Sequence, residues 1–381
     1  MSEPISLTTA QARFEAARRL TSLPNGHRRR SLHGHGFVAT AHGYLTPREI
    51  PFAGAQSHVL AERLRACVEQ IDYSDLNQII DHPDDLALAR WIRDHIGLDS
   101  LDYVGIQSTP DQGVQIAVKS GNRLDDFGSF DLPEASAPAN QTIRIWRRYH
   151  FRAAHQLPNV GPDHKCGRMH GHGFQVILHV DTDGVISYDD LDSAWSTLQA
   201  QLDRRCLNDI NGLSNPTSEM ISAWIWERIR PSLPSISWVT VFETASCGAQ
   251  FDGERYQIWK DFTIDSAIRM NAAPSGDPRS MIHGDTFLVR LHLSADLDTV
   301  KGWTVDFGDV KSAFNPVFQA LDHRPLHENE ALARGDAEAI ARWTLGTAHK
   351  SIPQLSRVDV IDSQGAGAIV FSGSLGAALP A

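Results

Sequence analysis

The 381-residue chain has only four cysteines, Cys67, Cys166, Cys206 and Cys247, and no two stand in Cys-x-x-Cys spacing. That scatter argues against a disulfide framework and fits a reducing cytoplasm. Long apolar runs are missing too: none reaches the ~18 residues a membrane helix needs, so no membrane association is expected. The start, Met1-Ser2-Glu3-Pro4, has neither a basic cluster nor an apolar core, and no signal peptide is expected. A basic excess is also lacking. Lys and Arg total 35 against 46 Asp and Glu, a formal net charge of −11, which argues against a general nucleic-acid binder. With 41% hydrophobic and 21% charged residues the composition is that of a soluble globular protein.

Against this plain background one stretch stands out: Lys165-Cys166-Gly167-Arg168-Met169-His170-Gly171-His172-Gly173-Phe174. In a strand, His170, His172, Phe174, Val176, Leu178 and Val180 share one face. Upstream, Phe151, Ala153 and His155 share a face in the same way, so a hairpin can gather three imidazoles. Three neutral histidines without a fourth protein ligand describe a zinc site open to water or substrate. Cys166, four residues before His170, sits in the connecting loop where a thiol reaches the same pocket. A bare His-Gly-His is a weak signal and is usually two strand histidines with ordinary partners.

The combination Phe-x-Ala-Ala-His followed by Cys-x-x-x-His-Gly-His-x-Phe is stronger, and it resembles the 6-pyruvoyltetrahydropterin synthase superfamily. The Cys-x-x-x-His spacing is similar to its 6-carboxytetrahydropterin synthase branch, of the queuosine and 7-deazapurine pathway. Leu207-Asn208, Asn215-Pro216-Thr217-Ser218-Glu219 and Phe242-Glu243-Thr244 extend the likeness.

The length allows about three such domains, and the motif recurs. Phe14-Glu15-Ala16-Ala17-Arg18 precedes Leu32-His33-Gly34-His35-Gly36-Phe37, and fifteen positions separate Arg18 from His33 as they separate His155 from His170. A third copy carries Ile282-His283-Gly284-Asp285, then Gly302-Trp303-Thr304-Val305-Asp306-Phe307-Gly308-Asp309, then Leu321-Asp322-His323. Trp91, Trp224 and Trp343 hold one register in the second helix of each copy. We therefore expect copy one over 10–124, a Gly/Pro/Ser-containing linker over 125–142, copy two over 143–257 and copy three over 258–375. Helices are predicted over Val59–Ile71 and after Pro83 in copy one, and over Asp189–Leu202 and Thr217–Ile229 in copy two. The resemblance implies an α+β class: three tandem tunnelling-fold domains, each a four-stranded antiparallel sheet with two helices, closing a pseudo-trimeric barrel. It also implies a possible homodimer of such barrels.

Only copy two holds all three imidazoles, His155, His170 and His172; copy one has Arg18, and copy three has Ile268 and Asp285. One zinc per chain is expected. The resemblance makes Glu243 the pterin anchor, since an ionised carboxylate accepts from ring N–H and amino groups. Ser108 and Asp362 take its place in copies one and three. It makes Cys166 catalytic together with an Asp-His pair. Copy two reads Asp203-Arg204 there, and only copy three has Asp322-His323, so one complete site is expected to be shared between copies two and three.

The implied activity is a zinc-dependent lyase that converts 7,8-dihydroneopterin triphosphate to 6-carboxy-5,6,7,8-tetrahydropterin, releasing acetaldehyde and triphosphate. Lys165, Arg168, Arg204 and the His27-Arg28-Arg29-Arg30 run are candidates for the phosphates. The alternatives are a pyruvoyl-type or other pterin side-chain lyase, and a non-catalytic pterin- or purine-binding protein with structural zinc.

Overall fold

The computed structural model describes residues 3–98, 101–118, 141–373 and 375–379. Each copy contributes four long strands and two helices. Copy one has β1 (Ile5–Arg18), β2 (His33–Gly43), α1 (Gln56–Val68), α2 (Asp85–His95), β3 (Leu101–Thr109) and β4 (Gln112–Val118). Copy two has β5 (Gln141–His155), β6 (His170–Thr182), α3 (Tyr188–Leu202), α4 (Ser218–Ile229), β7 (Ile236–Thr244) and β8 (Cys247–Phe251). Copy three has β9 (Tyr256–Ile268), β10 (His283–Ser294), α5 (Phe307–Leu321), α6 (Ala337–Ala348), β11 (Leu355–Asp362) and β12 (Gly367–Phe371).

Each strand pairs antiparallel with the next in sequence, and β12 returns to β1, Ile5 opposite Phe371. The three sheets thus form one closed barrel, and closure leaves the long strands few free edges. The copies follow one another round the ring in chain order. Most of the linker expected over 125–142 lies outside the described residues; Gln141 and Thr142 already belong to β5. Helix α1 lies about one turn earlier than predicted, because the chain leaves it at Glu69 and tightens through Ile71 N–H to Val68 O.

Strand alternation sorts the side chains into two environments. The outer phase packs under the helices: Phe14 stacks on Phe37 and Phe151 on Phe174, each at 4.9 Å between ring centroids. Leu60, Leu64, Ile225 and Ile229 close over this face in copies one and two, and Phe314, Leu321 and Ile340 in copy three. Short side chains start the helices. Asp84, Thr217, Asp306 and Asp336 each accept a first-turn backbone N–H, and Ser187 forms a capping box with Asp190.

The inner phase faces the barrel lumen. Trp146, Ile177, Phe242 and Trp259 cluster there, and Leu379 of the C-terminal segment packs against them. Gln250 Nε2 donates to Ala377 O at 3.1 Å, and Arg357 donates to Leu375 O. Gly376 makes this docking possible: its φ is +69°, and a Cβ there would lie 2.1 Å from Gln257 Oε1. Gly376→Ala therefore costs about 1–2 kcal/mol of tail docking. Carboxypeptidase should release the tail about 5–30 times faster from the variant; an unchanged rate would show that the lumen does not hold it.

Candidate functional site between copies two and three

The outer face of copy two gathers the chemistry. His155 ends β5, buried to 1% exposure, and pairs across the hairpin with His170 at the start of β6. His172 lies two residues on, opposite Ala153. Gly171 between them lets the strands approach, since a Cβ there would sit 3.0 Å from Ala153 O. Backbone carbonyls set the rings: His155 Nδ1 bonds Pro216 O at 2.9 Å, and His170 Nδ1 bonds Arg168 O at 2.7 Å. That leaves each Nε2 turned inward. One ligand atom from each imidazole and one from Glu243 all lie within 4.8 Å of one another.

This donor set fits a metal ion. His155 Nε2 and His172 Nε2 are buried without a hydrogen-bond partner, which is costly unless something binds them. Burial also holds both imidazoles below their ordinary pKa, in the neutral form that ligates. Glu243 Oε2 accepts from Ser218 Oγ at 2.8 Å, and Oε1 stands 3.4 Å from His172 Nε2.

Cys166 lies in a short 3-10 turn over this group, its N–H directed to His164 Nδ1 at 3.2 Å. Burial, reinforced by Glu243, raises its thiol pKa. Glu219, at the start of α4, is 2% exposed, and burial pushes its carboxyl up to about 7.

Copy three closes the site from the other side. Thr304 donates its N–H and hydroxyl to Glu219 Oε1 at 2.8 and 3.2 Å, and Asn215 Nδ2 holds Lys301 O at 2.5 Å. His164 Nε2 bonds Asp306 Oδ2 at 3.2 Å across the boundary. The cavity between them is about 890 Å3 and is lined by Cys166, His170, His172 and Glu243, and by Trp303, Asp306 and Lys311 from copy three. That is ample for a bicyclic ligand with a charged tail.

Asp322 and His323 do not line this cavity. They follow α5, where His323 N–H bonds Asp265 O and Pro325 bridges to Ala267, on the edge of β9 that β10 leaves free. That edge faces copy two. The pair is formed, Nδ1 of His323 standing 3.0 Å from Asp322 Oδ2, and His323 is 76% exposed. Of the cationic candidates, Lys165 and Arg168 line the cavity; Arg204 and the 27–30 run do not. Arg204 follows α3 with its N–H on Arg152 O, and Arg30 donates to Thr21 O.

Sequence reading passed over Glu219, Cys247, Lys260, Lys311 and the His164–Asp306 contact. The outer-phase parity of Cys247 and Lys260 was a usable signal. The contacts across copies were not, because they depend on which copies are neighbours.

At the boundary of copies one and two a different set of side chains takes the matching positions. Arg18, in the position of His155, donates to Pro83 O at 3.0 Å and pairs with buried Asp85 at 2.8 Å. Asp85 also accepts from Ser108 Oγ and from Tyr188 Oη of copy two. Arg29, in the position of Cys166, joins Gln112, which also meets Arg147. A guanidinium thus occupies the place of an imidazole, within a buried polar network.

The 6-pyruvoyl tetrahydropterin synthase family model matches residues 144–254 and again 257–372. The chain is 35% identical over 123 residues to 6-carboxy-5,6,7,8-tetrahydropterin synthase of Synechocystis, covering 29% of this chain and 94% of that protein. It is also 35% identical over 95 residues to dihydroneopterin monophosphate aldolase of Pyrococcus furiosus, covering 24% and 78%. Among solved structures, 6-pyruvoyl tetrahydropterin synthase of Caenorhabditis elegans aligns at a TM-score of 0.26 and 20% identity, over 31% of this chain and 94% of its own. The two successive family matches take in more than half of the chain, which therefore belongs to the 6-pyruvoyl tetrahydropterin synthase family.

Proposed function

We propose that the chain is a pterin side-chain lyase that turns 7,8-dihydroneopterin triphosphate into 6-carboxy-5,6,7,8-tetrahydropterin. The observation that carries this reading is the convergence of three inward imidazole nitrogens, Glu243 and Cys166 on one cavity. His155, His170 and His172 would hold a zinc ion, which when bound supplies Lewis acidity toward the side-chain oxygens of the substrate. Glu243 accepts hydrogen bonds from the pterin ring and fixes its orientation. Cys166 holds and moves a proton at Sγ, and its raised pKa keeps that proton in place near neutral pH. A thiol facing the cavity also favours an enzyme over a binding protein, for which Cys166 would serve no purpose.

Incubating the purified protein with 7,8-dihydroneopterin triphosphate should release acetaldehyde and triphosphate in equal amounts. The likeness to the Pyrococcus aldolase supports a second reading, cleavage of a less phosphorylated dihydropterin. Turnover of the monophosphate alone would select it, and no turnover of either would overturn the lyase reading.

Glu243→Gln should keep the metal but bind neopterin poorly, because it replaces a charged acceptor with an amide donor facing ring donors. A lost charged hydrogen bond costs on the order of 2–3 kcal/mol, or tens of fold to over a hundredfold in affinity. Unchanged affinity by calorimetric titration would place the pterin anchor elsewhere.

A further inference from the structure

Repeated architecture allows the same two positions to be compared at different copy boundaries. One lies eight residues before the end of the first strand of a copy: Arg147 in β5 and Lys260 in β9. These are matched in register, Arg147 opposite Gln112 and Lys260 opposite Cys247. The other is the fifth residue of the helix that follows: Asp192 in α3 and Lys311 in α5.

At the boundary of copies one and two, these positions close on each other. Arg147 holds Asp192 through two hydrogen bonds of 3.0 Å, and Tyr149 Oη adds a third to the same carboxylate. At the boundary of copies two and three the aspartate is replaced by Lys311. Both positions are now cationic, and both line the open cavity. Lys260 donates only to the neutral hydroxyl of Ser246, at 2.9 Å. The carboxylates of the cavity have other partners: Glu243 accepts from Ser218, Glu219 from Thr304, and Asp306 meets His164 and the first turn of α5. Among the described residues neither lysine forms an ion pair with a carboxylate, and an anion bound beside both ammonium groups would offset their mutual repulsion.

We propose that Lys260 and Lys311, both from copy three, form a polyphosphate subsite on the cavity they share with copy two, freed by the exchange of the Asp192 carboxylate for the Lys311 ammonium. This rests on the lyase reading only for the identity of the ligand, the phosphorylated tail of a pterin. Lysine suits the role as a compact charge with three rotatable donors for phosphate oxygens.

The test is titration calorimetry of the full chain with inorganic tripolyphosphate, with unphosphorylated neopterin as the second ligand. Tripolyphosphate should bind, more weakly as salt rises. Lys260→Ala and Lys311→Ala should each weaken that binding about tenfold or more while leaving neopterin affinity unchanged. Lys311→Asp should weaken it further, because the new carboxylate pairs with Lys260 as Asp192 pairs with Arg147. Tripolyphosphate affinity unmoved by all three variants would overturn the proposal, as would equal losses for both ligands. If tripolyphosphate binding follows the lysines but no dihydroneopterin phosphate is turned over, the subsite stands and the lyase reading fails.

Discussion

Replacing His170 with Ala should remove the bound metal and the turnover together. The three inward nitrogens come from one hairpin, and carbonyls of Pro216 and Arg168 set the rings of His155 and His170. Outer partners of this kind are typically worth 10–100-fold in metal affinity, so loss of an imidazole itself should exceed about 100-fold. The wild-type chain should carry about one zinc, measured by plasma emission after dialysis. His33→Ala and His283→Ala should leave that content unchanged: His33 shares its boundary with the Arg18–Asp85 ion pair, and His283 faces Ile268 across the β9–β10 hairpin. Three tightly held zincs per chain would contradict the view that copies one and three cannot hold metal through these positions.

Much of this architecture is legible in the sequence for a physical reason. Strand parity fixes which side chains share a face, so the phase of His155, His170 and His172 under the helices follows from spacing alone. Equal spacing in all three copies reveals the repeat even where Arg18 or Ile268 has replaced the imidazole. Legibility ends where the argument needs contacts between copies. Glu219 meets Thr304 across 85 positions, and His164 meets Asp306 across 142; both depend on copy three packing beside copy two through the β8–β9 pairing. The tail is another case. Gly376 is an ordinary glycine in sequence, and its role appears only once the lumen is closed around Gln250 and Gln257.

His323→Ala should lower turnover by roughly 10²–10⁴-fold while leaving metal content and neopterin affinity nearly intact. On the proposed lyase reading Cys166 exchanges its proton with a second group, and the imidazole nearest in sequence is His164. That ring is already committed at both nitrogens, Nδ1 accepting from Cys166 N–H and Nε2 bonded to Asp306. It positions the loop and ties the copies together. Arg204, in the position copy two offers for the dyad, keeps its proton permanently and can serve as no base. His323 differs from both: Asp322 engages Nδ1 and orients the ring, and the side chain is 76% exposed on the edge of β9 toward copy two. A dyad with one free nitrogen in contact with water can relay protons between the site and bulk solvent. Asp322→Asn should give a smaller loss, because the imidazole remains and only its orientation and charge stabilisation are weakened. If kcat is unchanged in His323→Ala, the proton partner of Cys166 is not this dyad, and the site is complete without it.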